Sequence, residues 1–125
     1  MISVGWIALG GAFGAVLRYG FANGVYAWLG RGFPYGTLAV NVLGSFLIGV
    51  FTVWFMQREW IPLPLARGLI VGVLGAFTTF STFSLDTLLL LEQGSLWRAG
   101  LNIIVSVGAC LVATWVGLIV ARSIV

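Results

Sequence analysis

Four apolar runs, parted by short polar breaks, constrain everything else about this chain of 125 residues. The runs cover about 2–29, 36–56, 65–91 and 96–121, and each exceeds the roughly 20 helical residues that cross the hydrocarbon of a bilayer. Backbone polar groups find no water there, so the runs are expected as helices whose N–H and C=O groups bond internally. Composition agrees. Hydrophobic residues make up 61% of the chain and charged residues 7%, with a mean hydropathy of +1.14, far outside the range of soluble domains. The expectation is one all-α transmembrane domain over residues 1–125, multi-pass in the plasma (inner) membrane. The start, Met1 to Gly5, places no basic side chain ahead of its apolar core, so a cleaved secretory signal is not expected.

The breaks carry turn chemistry. Gly30-Arg31-Gly32-Phe33-Pro34 ends the first span, Gln57 to Trp60 with Pro62 and Pro64 forms the second loop, and Glu92 to Ser95 forms the last. Trp60 stands where an interfacial aromatic would anchor. In the third span Gly68, Gly72 and Gly75 recur at spacings of four and three, a smooth face open to close approach by another backbone. The consecutive Thr78-Thr79 that follow predict a third helix broken near its middle.

Charge excludes several function classes. The six basic residues are all Arg and stand singly, with no basic patch for nucleic acid. No His and a single Cys leave neither a His-metal site nor an internal disulfide. With four spans, Arg58, Arg67 and Arg122 fall on the side of the termini, Arg31 and Arg98 on the other, and Arg18 within a span. Three against two barely orients the chain. That balance allows insertion in both orientations with antiparallel self-pairing, the expectation carried forward, or a single orientation set by the amino terminus or the order of insertion.

The polar side chains inside the spans are the candidate functional groups. In the run Gly75 to Ser84, Phe80 and Phe83 share one helix face, Ser81 and Ser84 the next, and Thr79 and Thr82 a third that Asp86 continues. Ring edges are electropositive and hydroxyls donate, so the run can line an anion path. It can equally fill a helix interface with hydroxyls bonded back to the backbone. Asn41, with Thr37 one turn before it, is either interhelical glue or a donor to a dehydrated anion. Arg18 costs about 3 kcal/mol or more at mid-bilayer and must reach water, a carbonyl or a carboxylate, with Asp86 a candidate partner. Near a pore mouth it would concentrate anions. Cys110 reads as a small hydrophobe.

Three segments resemble the small fluoride-channel family (Fluc, or CrcB): Gly10 to Tyr19, Gly36 to Phe46, and Gly72 to Ser84. The resemblance implies an antiparallel, dual-topology homodimer with two pores that let toxic fluoride leave passively. It implies that Phe80 and Phe83 form an aromatic box along the path, that Asn41 donates to the ion, and that Ser81, Thr82 and Ser84 extend a polar track. It also implies a structural Na+ at the dimer centre, held by the backbone carbonyls of Gly75 and Thr78 in the broken span. The fourth span would offer Ser106 to the path, with Cys110 one turn on in place of a second hydroxyl.

Two other classes remain beside it. A proton-coupled exporter of cationic drugs, resembling the small multidrug resistance proteins, needs a Glu within a span, whereas Glu59 and Glu92 both fall in loops and the first span holds Arg18. A non-conducting assembly subunit needs only hydroxyl-rich, small-residue faces. An enzyme is disfavoured: no nucleophile has a His base and no carboxylate pair lies within a span.

Overall fold

The computed structural model describes residues 2–58 and 60–124, the Met56 side chain aside, and among them every regular element is helical. Glu59, expected in a loop, lies outside the described residues. Helix α1 (Ile2–Leu29) stops where Gly30 takes a φ of +82° and its N–H bonds the Tyr26 carbonyl at 2.8 Å, a left-handed end that glycine adopts without strain. Helix α2 (Tyr35–Gln57) follows.

The third span is assembled from pieces: α3 (Leu63–Arg67), a π-helical stretch over Gly68–Leu74, α4 (Gly75–Phe77), two extended residues, and α5 (Phe80–Glu92). It begins two residues before the expected boundary because Pro64 lies in the first turn, where its missing N–H has no helical partner to lose. Gly94, at a φ of +81°, turns the chain into α6 (Leu96–Ile124), three residues longer than expected. All four spans are long and apolar enough to cross a membrane.

Missing side chains set the packing. A Cβ on Gly10 would collide with the Gly68 carbonyl oxygen, and one on Gly14 with that of Val73, so α1 lies directly on the backbone of the π-helical stretch. One on Gly72 would stand 2.7 Å from the Ile7 carbonyl oxygen. Gly49 of α2 and Gly117 of α6 interlock in the same way, each facing the other helix's backbone. Gly75 departs from the expected smooth face. It is exposed, and the one atom within 4 Å of where its Cβ would stand is the Ile70 carbonyl oxygen of its own span, at 3.9 Å. The wider turn of the π-helix rotates it off the line of Gly68 and Gly72.

Gly14→Ala is therefore expected to destabilise the fold by about 1–3 kcal/mol, the usual cost of overpacking. Gly24→Ala, at a position with nothing within 4 Å, should show no loss. Detergent-solubilised unfolding of the two variants, heated side by side with the parent protein, checks the difference.

Candidate functional site

The break between α4 and α5 redistributes backbone bonds. Thr78 (φ −88°, ψ 160°) and Thr79 (φ −154°, ψ 120°) are extended, so the helical ladder cannot run through them. Asn41 of α2 takes over part of it. Its Oδ1 accepts from the Thr79 N–H at 2.7 Å and its Nδ2 donates to the Thr79 carbonyl at 3.0 Å, as a neighbouring strand would. The Thr79 hydroxyl oxygen then caps α5, accepting from the Thr82 N–H at 3.2 Å. On the other side of the break, Thr78 Oγ1 donates to the Leu74 carbonyl at 2.9 Å.

A continuous helix would send the Thr79 N–H to the Gly75 carbonyl and the Thr82 N–H to the Thr78 carbonyl. Both donors are bonded elsewhere, which frees those two oxygens. The Ala76 carbonyl between them accepts from Arg18 Nε at 3.0 Å. Arg18 thus reaches a carbonyl rather than Asp86, and its positive charge lies at the negative, C-terminal end of the helical run that closes at Phe77.

Two hollows flank this region. The first, of about 330 Å³, is bounded by Asn41, Gly44, Ser45 and Ile48 of α2, the break from Leu74 and Gly75 to Thr79, both phenyl rings of α5, and Ser106, Val107 and Cys110 of α6. Phe80 and Phe83 stand 5.4 Å apart between centroids, tilted by 47°. Charged side chains are absent from its described lining. The second hollow is polar and charged, lined by Arg18, Asn23, Tyr26, Arg31, Thr37, Thr79, Thr82 and Asp86. There Thr37 Oγ1 donates to Asp86 Oδ2 at 2.7 Å, the Tyr26 hydroxyl accepts from the Thr37 N–H at 3.4 Å, and the Arg31 guanidinium lies 4.5 Å from the Tyr26 ring centre.

The residues singled out in the sequence therefore separate. Asn41, Phe80, Phe83, Ser106, Cys110, Gly75 and Thr78 meet at the uncharged groove, while Arg18, Thr37, Thr82 and Asp86 meet at the charged hollow. Ser81 and Ser84 are exposed and line neither; Ser84 donates back to the Phe80 carbonyl at 3.1 Å. Sequence reasoning missed Asn102 and Thr87, a buried pair bonded at 2.9 Å between α6 and α5. An amide inside an apolar run, the same signal that singled out Asn41, marks Asn102.

Asn41→Leu removes both partners of the Thr79 peptide at membrane depth and is expected to cost about 2 kcal/mol or more, since each abandoned group carries its own desolvation penalty. Asn41→Gln, which keeps both the amide donor and the amide acceptor, should lose less. Denaturant-induced unfolding in micelles reads the order of the three proteins.

Comparison with known proteins places this architecture. A sequence profile described as "CrcB-like protein, Camphor Resistance (CrcB)" matches residues 5–118. A "Fluoride-specific ion channel FluC" of Magnetococcus marinus is 54% identical over 123 residues, spanning 98% of this chain and 100% of that protein. Proteins of the same name from Geobacter metallireducens and Vibrio vulnificus are 49% and 47% identical, covering 99% and 96% of this chain and 100% and 95% of their own lengths. With four membrane-spanning helices, a third span broken at Thr78-Thr79 and a match along nearly its whole length, this multi-pass membrane protein belongs to the CrcB family.

Proposed function

We propose that the chain forms a fluoride-selective passive channel, not an enzyme, in the plasma membrane, and that toxic fluoride leaves through it. The observation that carries this reading is the groove in which tilted Phe80 and Phe83 rings, the Asn41 amide and the Ser106 hydroxyl converge without a charged side chain. Fluoride is small and strongly hydrated. A selective path must replace its water with weak donors, and a fixed positive charge would hold the ion too long for conduction. Ring edges, one remaining Asn41 Nδ2 hydrogen and hydroxyls supply such donors. The charged hollow holding Arg18 and Arg31 then acts as a vestibule that enriches anions. The channel names of the relatives described above support the same substrate.

The conducting unit in this reading is an antiparallel homodimer. Phe80 is 76% exposed, so a single chain leaves its ring standing outside the fold, and the exposed Ser81 and Ser84 likewise need a second copy to join a path. The near-even Arg distribution permits both orientations. The Gly75 and Thr78 carbonyls, freed by the break, are hard oxygen donors suited to a Na+ ion where two breaks meet. The ion would supply charge to otherwise unpaired carbonyls and so hold the two copies together.

Purified protein in liposomes loaded with fluoride should discharge it on addition of an ionophore for the counter-ion, with chloride retained. Absence of fluoride efflux, or equal chloride efflux, overturns the reading. Phe80→Ile and Phe83→Ile are each expected to slow that efflux by at least about tenfold, the loss of roughly 1.4 kcal/mol of ring-edge stabilisation, with dimers still seen by glutaraldehyde cross-linking. A reporter fused to the C terminus should appear on both faces of the membrane.

A further inference from the structure

Asn102 is 1% exposed, and it links Ser106 of the groove to Thr87 of α5. Its Nδ2 donates to Thr87 Oγ1 at 2.9 Å, Thr87 Oγ1 donates to the Phe83 carbonyl at 2.8 Å, and Ser106 Oγ donates to Asn102 Oδ1 at 3.2 Å. A hydroxyl has one hydrogen to give. Because the Thr87 hydrogen lies on the Phe83 carbonyl, Thr87 can only accept from Asn102, which orients the amide with Oδ1 toward Ser106. The single hydrogen of Ser106 then points into the protein, and its lone pairs face the groove.

We infer that Asn102 is a positioning residue for ion passage: its carbonyl competes with the permeating anion for the one Ser106 hydrogen, while its amide ties the ring-bearing α5 to α6. The inference rests on the fluoride-channel reading above. An anion passing Ser106 needs a donor, and turning the hydroxyl toward it leaves a buried Oδ1 without a partner. The bond to Asn102 re-forms as the ion moves on. Ser106 therefore donates only weakly to the ion, as conduction requires of a site that must release what it binds. The tether matters because α5 carries both rings, and among the described residues it and its capping Thr79 are joined to other spans by few side-chain hydrogen bonds: Asn41 at Thr79, Thr37 at Asp86, and Asn102 at Thr87. Only the last comes from α6.

The test is the rate of fluoride efflux from liposomes against internal fluoride concentration, using the whole chain. Asn102→Leu fills the same space without a hydrogen-bonding atom. It should lower the half-saturating fluoride about tenfold, the worth of one hydrogen bond, together with a reduced maximal rate. Combined with Ser106→Ala, the shift in half-saturation should vanish. Thr87→Val removes both the tether to α5 and the bond that orients the amide, and should reduce the maximal rate. An unchanged half-saturation in Asn102→Leu, or the same shift with and without the Ser106 hydroxyl, overturns the inference, as does a wild-type maximal rate in Thr87→Val. Should Asn102→Leu fail to fold, Asn102→Ala is held to the same criteria. A variant too slow for a saturation curve is read by adding Ser106→Ala: recovered efflux supports the inference and continued silence overturns it. Wild-type protein that passes no fluoride overturns the channel reading itself, which separates the two failures.

Discussion

The paired bonds between the Asn41 amide and the Thr79 peptide hold the third span in its broken form. A helix interrupted inside hydrocarbon leaves donors and acceptors that water cannot reach, at several kcal/mol for each group left alone. One side chain able to donate and accept at once removes two of those deficits, and a carboxamide presents its donor and acceptor side by side in one neutral planar group. The Thr79 cap on α5, the back-bond from Thr78 to Leu74 and the reach of Arg18 to Ala76 act on the same interruption. The break is thus held by side chains from α1, α2 and its own flanks, and it leaves the Gly75 and Thr78 carbonyls free of their helical donors.

That arrangement positions the groove as a consequence. Gly44 can lie against Thr78 only because a Cβ there would collide with the Thr78 methyl, so α2 approaches closely enough for Asn41 to bond across. The interlocked Gly49 and Gly117 bring α6 to the other side of α2, which delivers Ser106 and Cys110 to the same space. Close backbone approach substitutes for the hydrophobic drive that lipid cannot supply. The resulting groove gathers donors of three chemical kinds from three spans.

Much of this was legible in the sequence because membrane depth turns each polar residue into a constraint. The four spans followed from hydropathy and length, the break from Thr78-Thr79 after a glycine series, and the need of Arg18 for a polar partner, though not which one, from the cost of its charge. The less legible features depend on relative rotation between helices. Gly75 left the glycine face because the stretch before it is π-helical, a departure from the 3.6-residue period that no residue announces. The strip of Thr82 and Asp86 faces the charged hollow while Phe80 and Phe83 face the uncharged groove, a division set by which neighbours flank α5. The packing of Gly10 on Gly68 and of Gly14 on Val73 needed knowledge of which spans touch.

The separation of charge from the groove is itself informative. Arg18 is bonded to a carbonyl at the negative end of the helical run that closes at Phe77, and Asp86 accepts from Thr37, so each ionised side chain near the site is held to a partner away from the rings. A guanidinium swinging freely into the groove would create a deep well for any anion, and a carboxylate there would exclude one. In the proposed channel, a guanidinium fixed at the vestibule acts through distance and solvent and raises local anion concentration without trapping the ion. Within the groove the remaining donors are neutral and individually weak. In the proposed channel, discrimination among anions then rests on how closely rings, amide and hydroxyl replace the lost water, so that small ionic radius, rather than charge, is the property selected.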